Sequence, residues 1–364
     1  MSSNILENLK IILMVFLFVV CIMPIIMKVA FHVNALDMPN ERKVHTKPMP
    51  RLGGLAIFLG FLLGYMLFCT PTPQMLSILI GSFIIILVGI VDDINPINPL
   101  PKFLAQVIAG IVVVYYGNII LQDFSAYGIY MNFGIFARPI TIFFIVAIIN
   151  CMNFIDGLDG LAGGIATIFF ITISVIISIM GIYNGLDASL TLVMIGATLG
   201  FLVYNFHPAK IFMGDSGSMF LGYMVAVISL LGFKNVTLTS FIVPVLIFAI
   251  PILDTLFAIL RRLLKGESPS KADKEHLHHQ ILKMSGNQVK TVLIIYLMQI
   301  LFSIASIEYV LRNPKLGQIV YVIILVIILW LVITTNIVFD RKSKKEIVNA
   351  KNDKKTKKNK KNDN

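Results

Sequence analysis

Met75-Leu-Ser-Ile-Leu-Ile-Gly-Ser-Phe-Ile-Ile-Ile-Leu-Val-Gly-Ile-Val91 is an uncharged run, closed abruptly by Asp92-Asp93. As a helix rising ~1.5 Å per residue it covers about 25 Å, close to the ~30 Å hydrocarbon core of a bilayer. The acids then stand where the apolar run has to stop. Ten further segments of this kind lie outward from it, at 9–33, 52–69, 103–117, 138–155, 158–180, 187–206, 216–232, 238–263, 289–311 and 317–339. The chain therefore reads as an all-α polytopic membrane protein of about eleven spans. Segments 103–117 and 216–232 are short and interrupted by glycine, so ten remain possible.

Composition agrees. Of 364 residues 57% are hydrophobic and 13% charged, against roughly 45–50% apolar and ~25% charged in soluble domains. Water-soluble globules, disordered chains and collagens are excluded on those figures. Cys21, Cys69 and Cys151 are scattered through apolar stretches and form neither a disulfide framework nor a metal cluster. The first segment is too long, and lacks the small-residue cleavage site, to be a simple secretory signal.

Eleven spans place the termini on opposite sides. With the N-terminus outside, 25 of the 30 Lys/Arg fall on the cytoplasmic side, in 34–51, 92–102, 207–215, 264–288, the adjoining span ends and the C-terminal tail. The net charge of +11 is concentrated in that tail. Residues 1–340 are expected to form one membrane body. Residues 341–364 are too polar to fold and read as a disordered stretch drawn to anionic lipid, not as a nucleic-acid-binding surface. Outside, 118–137 alternates weakly and is expected to form a small hairpin.

Ionisable groups near membrane helix ends are costly and therefore informative. Asp92, Asp93, Asp156, Asp159 and Asp215 all fall at cytoplasmic helix ends, with no comparable set opposite. An Asp before an apolar run is by itself an ordinary N-cap, but five on one face point to a site. The loops supply the complementary charge: His45-Thr-Lys-Pro-Met-Pro-Arg-Leu-Gly-Gly54, Lys102, and Ser270-Lys-Ala-Asp-Lys-Glu-His-Leu-His-His279. Carboxylates beside Lys, Arg and His at a lipid interface suit a divalent cation holding a polyphosphate. Phosphate contact outweighs zinc ligation for the histidines, which have no nearby Cys and no His-Glu-x-x-His arrangement. Asp254, inside a span, reads as a structural buried charge paired with Arg261, Arg262 or helix backbone. Helices follow Asp156-Gly-Leu-Asp-Gly-Leu-Ala-Gly-Gly164 and Met213-Gly-Asp-Ser-Gly-Ser218, so both pieces offer backbone N–H groups to an anion.

Six motifs then fall in one order from 45 to 279: His45-x-x-x-x-Pro50-Arg-Leu-Gly-Gly54, Val91-Asp-Asp93, Asn150-x-x-Asn-x-x-Asp-Gly-x-Asp-Gly160, Phe212-Met-Gly-Asp-Ser-Gly-Ser218, Pro251-x-x-Asp-Thr and Ala272-Asp-Lys-x-His-Leu-His-His279. In these the chain resembles the polyprenyl-phosphate N-acetylhexosamine-1-phosphate transferases of glycosyltransferase 4 type, which include the phospho-MurNAc-pentapeptide translocase. His276-Leu-His-His279, in place of three successive histidines, is similar to the branch that uses UDP-GlcNAc. The resemblance implies transfer of GlcNAc-1-phosphate from UDP-GlcNAc to undecaprenyl phosphate, releasing UMP and opening the synthesis of an envelope polymer. It implies Mg²⁺, with Mn²⁺ as a substitute, held by Asp215. It assigns Asp92 and Asp93 to deprotonating or positioning the lipid phosphate, and Lys102 and Lys47 to phosphate. It assigns Asn153, Asp156 and Asp159 to the border of the nucleotide, Phe212 to stacking on uracil, and His276, His278 and His279 to pyrophosphate or sugar. A homodimer is possible. The competing class is a cation-coupled transporter, which predicts acids near the midplane and paired broken helices.

Deleting residues 345–364 is expected to leave most turnover in detergent intact, while reducing attraction to anionic lipid by ~1 kcal/mol per basic residue. A truncated protein that inserts normally yet loses nearly all UMP release would overturn this.

Overall fold

The computed structural model describes residues 2–38, 48–126, 129–181, 185–234, 242–264, 276–311 and 314–334. The helices are α1 (Ser2–His32), α2 (Gly53–Phe68), α3 (Pro73–Ile94), α4 (Pro99–Ile111, extended by a π-helical turn to Tyr116), α5 (Ala137–Ile155), α6 (Leu161–Ile179), α7 (Leu186–Asn205), α8 (Gly214–Lys234), α9 (Ile242–Ile247), α10 (Ala249–Leu264), α11 (Leu277–Ser285), α12 (Gln288–Leu311) and α13 (Pro314–Thr334). Every apolar segment of the sequence coincides with a helix, the 238–263 segment with the pair α9–α10. Among the described residues eight helices are long and apolar enough to cross a membrane, and 53–68 and 315–327 are shorter apolar helices. Tail residues 341–364 and Lys47 lie outside the described residues.

The helices start and stop for local reasons. Pro73 opens α3, and Thr72 Oγ1 accepts from the Met75 amide at 3.1 Å, a side-chain N-cap. Polar side chains within helices turn back on their own backbone, as Thr167 does onto the Gly163 carbonyl at 2.7 Å. Pro251 has no N–H for the carbonyl of Ile247, and the helix breaks there into α9 and α10. The side-chain amide of Gln299, on α12, donates to that carbonyl instead.

Two small antiparallel pairs qualify the all-α expectation. β1 (Leu36–Asp37) pairs with β2 (Met49–Pro50), and β3 (Asp123–Ala126) with β4 (Ile129–Asn132). The second pair is the hairpin expected within 118–137, but its first strand begins later than the alternation suggested. Ile119 is buried, and the Leu121 amide is held by Thr141 Oγ1 at 2.9 Å, so that stretch docks on α5.

At the centre stands α8, nearly every described side chain of which is buried; the glycines of this segment do not interrupt it. Helices α3 and α5 run along it, α2, α6 and α7 complete its surroundings, and α1 packs outside α7 and α2. Phe58 and Phe61 of α2 meet Phe220 edge-on at 5.5 and 5.4 Å between ring centres. Contact at the start of α8 is between backbones: a Cβ on Gly89 of α3 would overlap the Ser216 main chain. Gly89 and Asp93 are one turn apart on the same face of α3, so the glycine that lets the helices touch also delivers Asp93 to the end of α8.

Gly89→Ala is accordingly expected to push α3 off α8, at a cost of ~1–3 kcal/mol for an overpacked contact, with activity lost alongside. Thermal unfolding in detergent checks this; an unchanged midpoint and rate would show the contact to be loose.

Candidate active site

Helix α8 begins at Gly214, whose φ of +74° is a left-handed conformation suited to glycine. Its first amides find their acceptor on another helix. The Asp215 amide donates to Asp93 Oδ1 at 2.8 Å, while the Ser216 amide and hydroxyl donate to Asp93 Oδ2 at 3.1 and 2.6 Å. Asp93 is 3% exposed, and both its oxygens are committed to capping α8.

The Asp215 side chain is thereby released from capping. Lys102 Nζ, near the start of α4, lies 2.9 Å from Asp215 Oδ2 and 3.2 Å from Asp92 Oδ1, so one ammonium bridges two carboxylates. The Ile97 amide donates to the same Asp92 oxygen at 2.9 Å. Arg51, two residues before α2, completes the cluster: its guanidinium lies 3.4 Å from Asp93, 3.6 Å from Asp215 and 3.8 Å from Asp37. Among the contacts of the described residues, four carboxylates meet these two cations, and the Lys102, Arg51 and Asp215 side chains remain about a quarter exposed.

The loop from α5 to α6 forms the second wall. Asn153 donates to Ser218 Oγ of α8 at 2.8 Å. Asp156 follows the last turn of α5, where burial first, and then the nearby Asp215 carboxylate, push its pKa up to about 7 against the pull of Arg51. Asp159 Oδ2 accepts from His207 Nδ1 at 2.8 Å and from the Ala209 amide at 3.2 Å. Asn205 ties the walls together, accepting from the Gly160 amide and donating to the Ile211 carbonyl, each at 2.9 Å. Phe212 is held through its main chain, its amide to Pro50 and its carbonyl to Gly53.

Helix α11 brings the histidines to this loop. Asp254 of α10 accepts from the Leu277 amide at 2.6 Å and from His278 Nδ1 at 3.3 Å, and His276 Nδ1 lies 3.3 Å away. Its partners are thus histidines and the end of another helix, where the sequence suggested Arg261, Arg262 or helix backbone; α11 approaches α10 only in the folded chain. Opposite, a Cβ on Gly157 would fall 2.5 Å from His278 Nε2. Burial, with His278 and His276 beside it, pulls the His279 pKa down to about 4.

Asp92, Asp93, Lys102 and Asp215 thus converge, with Asn153, Asp156 and Asp159 as one neighbouring wall and His276, His278 and His279 against that wall. Lys47 is not among the described residues. Arg51, Ser216, Asn205 and His207 were not singled out from sequence as site residues. Arg51 and Ser216 carried a signal, their places in Pro50-Arg-Leu-Gly-Gly54 and Phe212-Met-Gly-Asp-Ser-Gly-Ser218.

The family model described as glycosyl transferase family 4 matches residues 75–233. A Bacillus subtilis protein named a probable undecaprenyl-phosphate N-acetylglucosaminyl 1-phosphate transferase is 44% identical over 316 residues, covering 85% of this chain and 86% of its own. The decaprenyl-phosphate N-acetylglucosaminephosphotransferase of Mycolicibacterium smegmatis is 33% identical, over 84% and 82% of the two chains. An Escherichia coli K12 undecaprenyl-phosphate alpha-N-acetylglucosaminyl 1-phosphate transferase is 31% identical over 74% and 75%.

The environment of Asp156 has a measurable consequence. With its folded pKa raised to about 7, the folded chain holds a proton that the unfolded chain has released from about pH 4 upward, so this group removes stability as pH rises through that window. Asp156→Asn has no such proton to lose. In chelator-containing buffer its melting temperature is expected to gain on the wild type between pH 5 and 7.5; a gap independent of pH would contradict the assignment.

Proposed function

The chain belongs to glycosyl transferase family 4, and from that premise we propose that it transfers GlcNAc-1-phosphate from UDP-GlcNAc to undecaprenyl phosphate. An oxygen of the lipid phosphate attacks the β-phosphorus, the bond from that phosphorus to the UMP oxygen breaks, and UMP leaves. Undecaprenyl-pyrophosphoryl-GlcNAc stays in the bilayer as the first membrane-bound intermediate of an envelope polymer. The observation that carries this reading is the division of labour at α8: Asp93 caps the helix, leaving Asp215 to face Lys102 and Arg51 beside Asp92.

Both reactants are anions, so repulsion must be screened before attack. Lys102 and Arg51, partly exposed at the cluster, supply the positive field. Asp92, held at Oδ1 by Lys102 and the Ile97 amide and set beside the Asp215 carboxylate, is suited to position or deprotonate the lipid phosphate. Asp93, with both oxygens occupied, acts by positioning. Asn153, Asp156 and Asp159 border the nucleotide and Phe212 stacks on uracil, while Lys47, outside the described residues, is assigned to phosphate by the resemblance alone. His276, His278 and His279 serve the pyrophosphate or the sugar.

The donor set suits Mg²⁺, or Mn²⁺ in its place. Lys102 already places a cation between Asp92 and Asp215, and the oxygens are hard. No three described His, Cys, Asp or Glu side chains converge as a cage, and Mg²⁺ characteristically takes one or two carboxylates together with substrate phosphates. Asp215 would hold the ion, with Asp92 nearby. When bound, it would withdraw negative charge from the pyrophosphate.

We place the cluster on the cytoplasmic face of a bacterial plasma membrane, with eleven spans and the N-terminus outside; the Lys/Arg bias supports that orientation. A cation-coupled transporter is disfavoured because the acids gather at helix ends among polar loops, next to Asp156, Asp159 and the histidines.

UMP release from UDP-GlcNAc with added undecaprenyl phosphate tests the reaction. Asp215→Asn, titrated with Mg²⁺ and Mn²⁺, is expected to lower turnover by roughly two orders of magnitude or more. Its melting temperature should barely move, because the cap of α8 belongs to Asp93. Near-normal turnover with unchanged metal dependence would remove Asp215 from this role.

A further inference from the structure

Asp254 is 2% exposed and inside a helix of the membrane body, and the proposed transfer gives it no task. Burying a carboxylate is costly unless its oxygens are matched by donors. Here they are. The Leu277 amide at the start of α11 reaches Oδ1 at 2.6 Å, and His278 Nδ1 reaches Oδ2 at 3.3 Å. An ionised carboxylate only accepts, so the proton of that second contact belongs to Nδ1 of His278.

His278 itself is 1% exposed, and its ring stacks on His276 with centres 5.6 Å apart and planes 16° from parallel. With Nδ1 held by Asp254, the opposite edge is directed at the α5–α6 loop. A Cβ on Gly157 would fall 2.5 Å from Nε2, so glycine is what lets the imidazole edge approach between Asp156 and Asp159.

We propose that Asp254 is a positioning residue acting through His278: it fixes the ring, keeps a proton on Nδ1, and leaves Nε2 as the atom that meets the donor substrate beside Gly157. The same carboxylate seats the helix that carries the histidine, so one side chain sets both the position of α11 and the protonation pattern of its ring. The assignment rests on the transferase reading above.

Asp254→Asn separates the two tasks. The amide oxygen still accepts from Leu277, preserving the cap, since Asn caps as well as Asp. Its NH₂ group then faces His278 Nδ1 and forces the ring proton to Nε2. Where a carboxylate orients a catalytic histidine, that swap alone costs up to ~10⁴-fold in rate, and a loss of roughly 10²-fold in kcat is expected here, with an unchanged melting temperature. The direct readout is ¹⁵N NMR of histidine-labelled full-length protein, with the His278 signals assigned by their loss in His278→Gln.

Nδ1 should be protonated in the wild type and bare in Asp254→Asn. A bare Nδ1 in the wild type overturns the proposal even if the variant fails to fold. So does a variant that keeps its Nδ1 proton, or one that moves the proton and retains full kcat, which would reduce Asp254 to a cap. Absence of UMP release by the wild type would instead sink the transferase reading, while the Nδ1 signal would still decide the Asp254–His278 contact.

Discussion

The amides of Asp215 and Ser216 open a helix that is buried on nearly every side, and a backbone donor without an acceptor in such a place costs more than most side-chain contacts return. Asp93, reaching across from α3, accepts from both. For it to do so, α3 and α8 must touch backbone to backbone, which Gly89 permits one turn earlier. That carboxylate then has to be neutralised from outside, which Arg51 does at 3.4 Å. The close helix contact, the cap and the cation are one requirement seen at successive distances.

The same solution recurs at the other end of the site. Helix α11 also begins without a side-chain cap of its own, and the carboxylate that receives its first free amide comes from α10. In both places an acid on one helix seats the start of another that carries candidate site residues, Asp215 on α8 and the histidines at the start of α11. Capping across helices sets the spacing between elements as well as satisfying a donor, and sub-ångström placement matters when two anions must be brought together.

Among the described residues, charge at the cluster is arranged without a protein cage. Asp92 and Asp215 share the Lys102 ammonium, and Arg51 spans Asp93, Asp215 and Asp37. The cations remain partly open to solvent, so an anionic group such as a phosphate can reach them without the site being rebuilt. Beside this cluster, burial and the neighbouring Asp215 carboxylate push the Asp156 pKa up to about 7, against the pull of Arg51.

Hydrophobic runs are local, so the apolar segments could be read directly, down to the one at 238–263 that Pro251 breaks in two. The motifs were also legible, because residue types at fixed short spacing survive in one dimension: Asp92-Asp93, the 150–160 stretch and His276-Leu-His-His279 all came from sequence, as did the family. What each acid does was not legible. Asp93 and Asp215 are separated by 122 positions, and neither neighbourhood shows that Asp93 caps α8 and leaves Asp215 to Lys102 and Arg51. By its own flanking residues Asp215 looks like the cap. Asp254 looked like a partner for the arginines on its own helix and proved to hold histidines from the next. These assignments were decided by tertiary packing, since a carboxylate's role is set by the donors that reach its oxygens, and those donors come from helices that meet only in the folded chain.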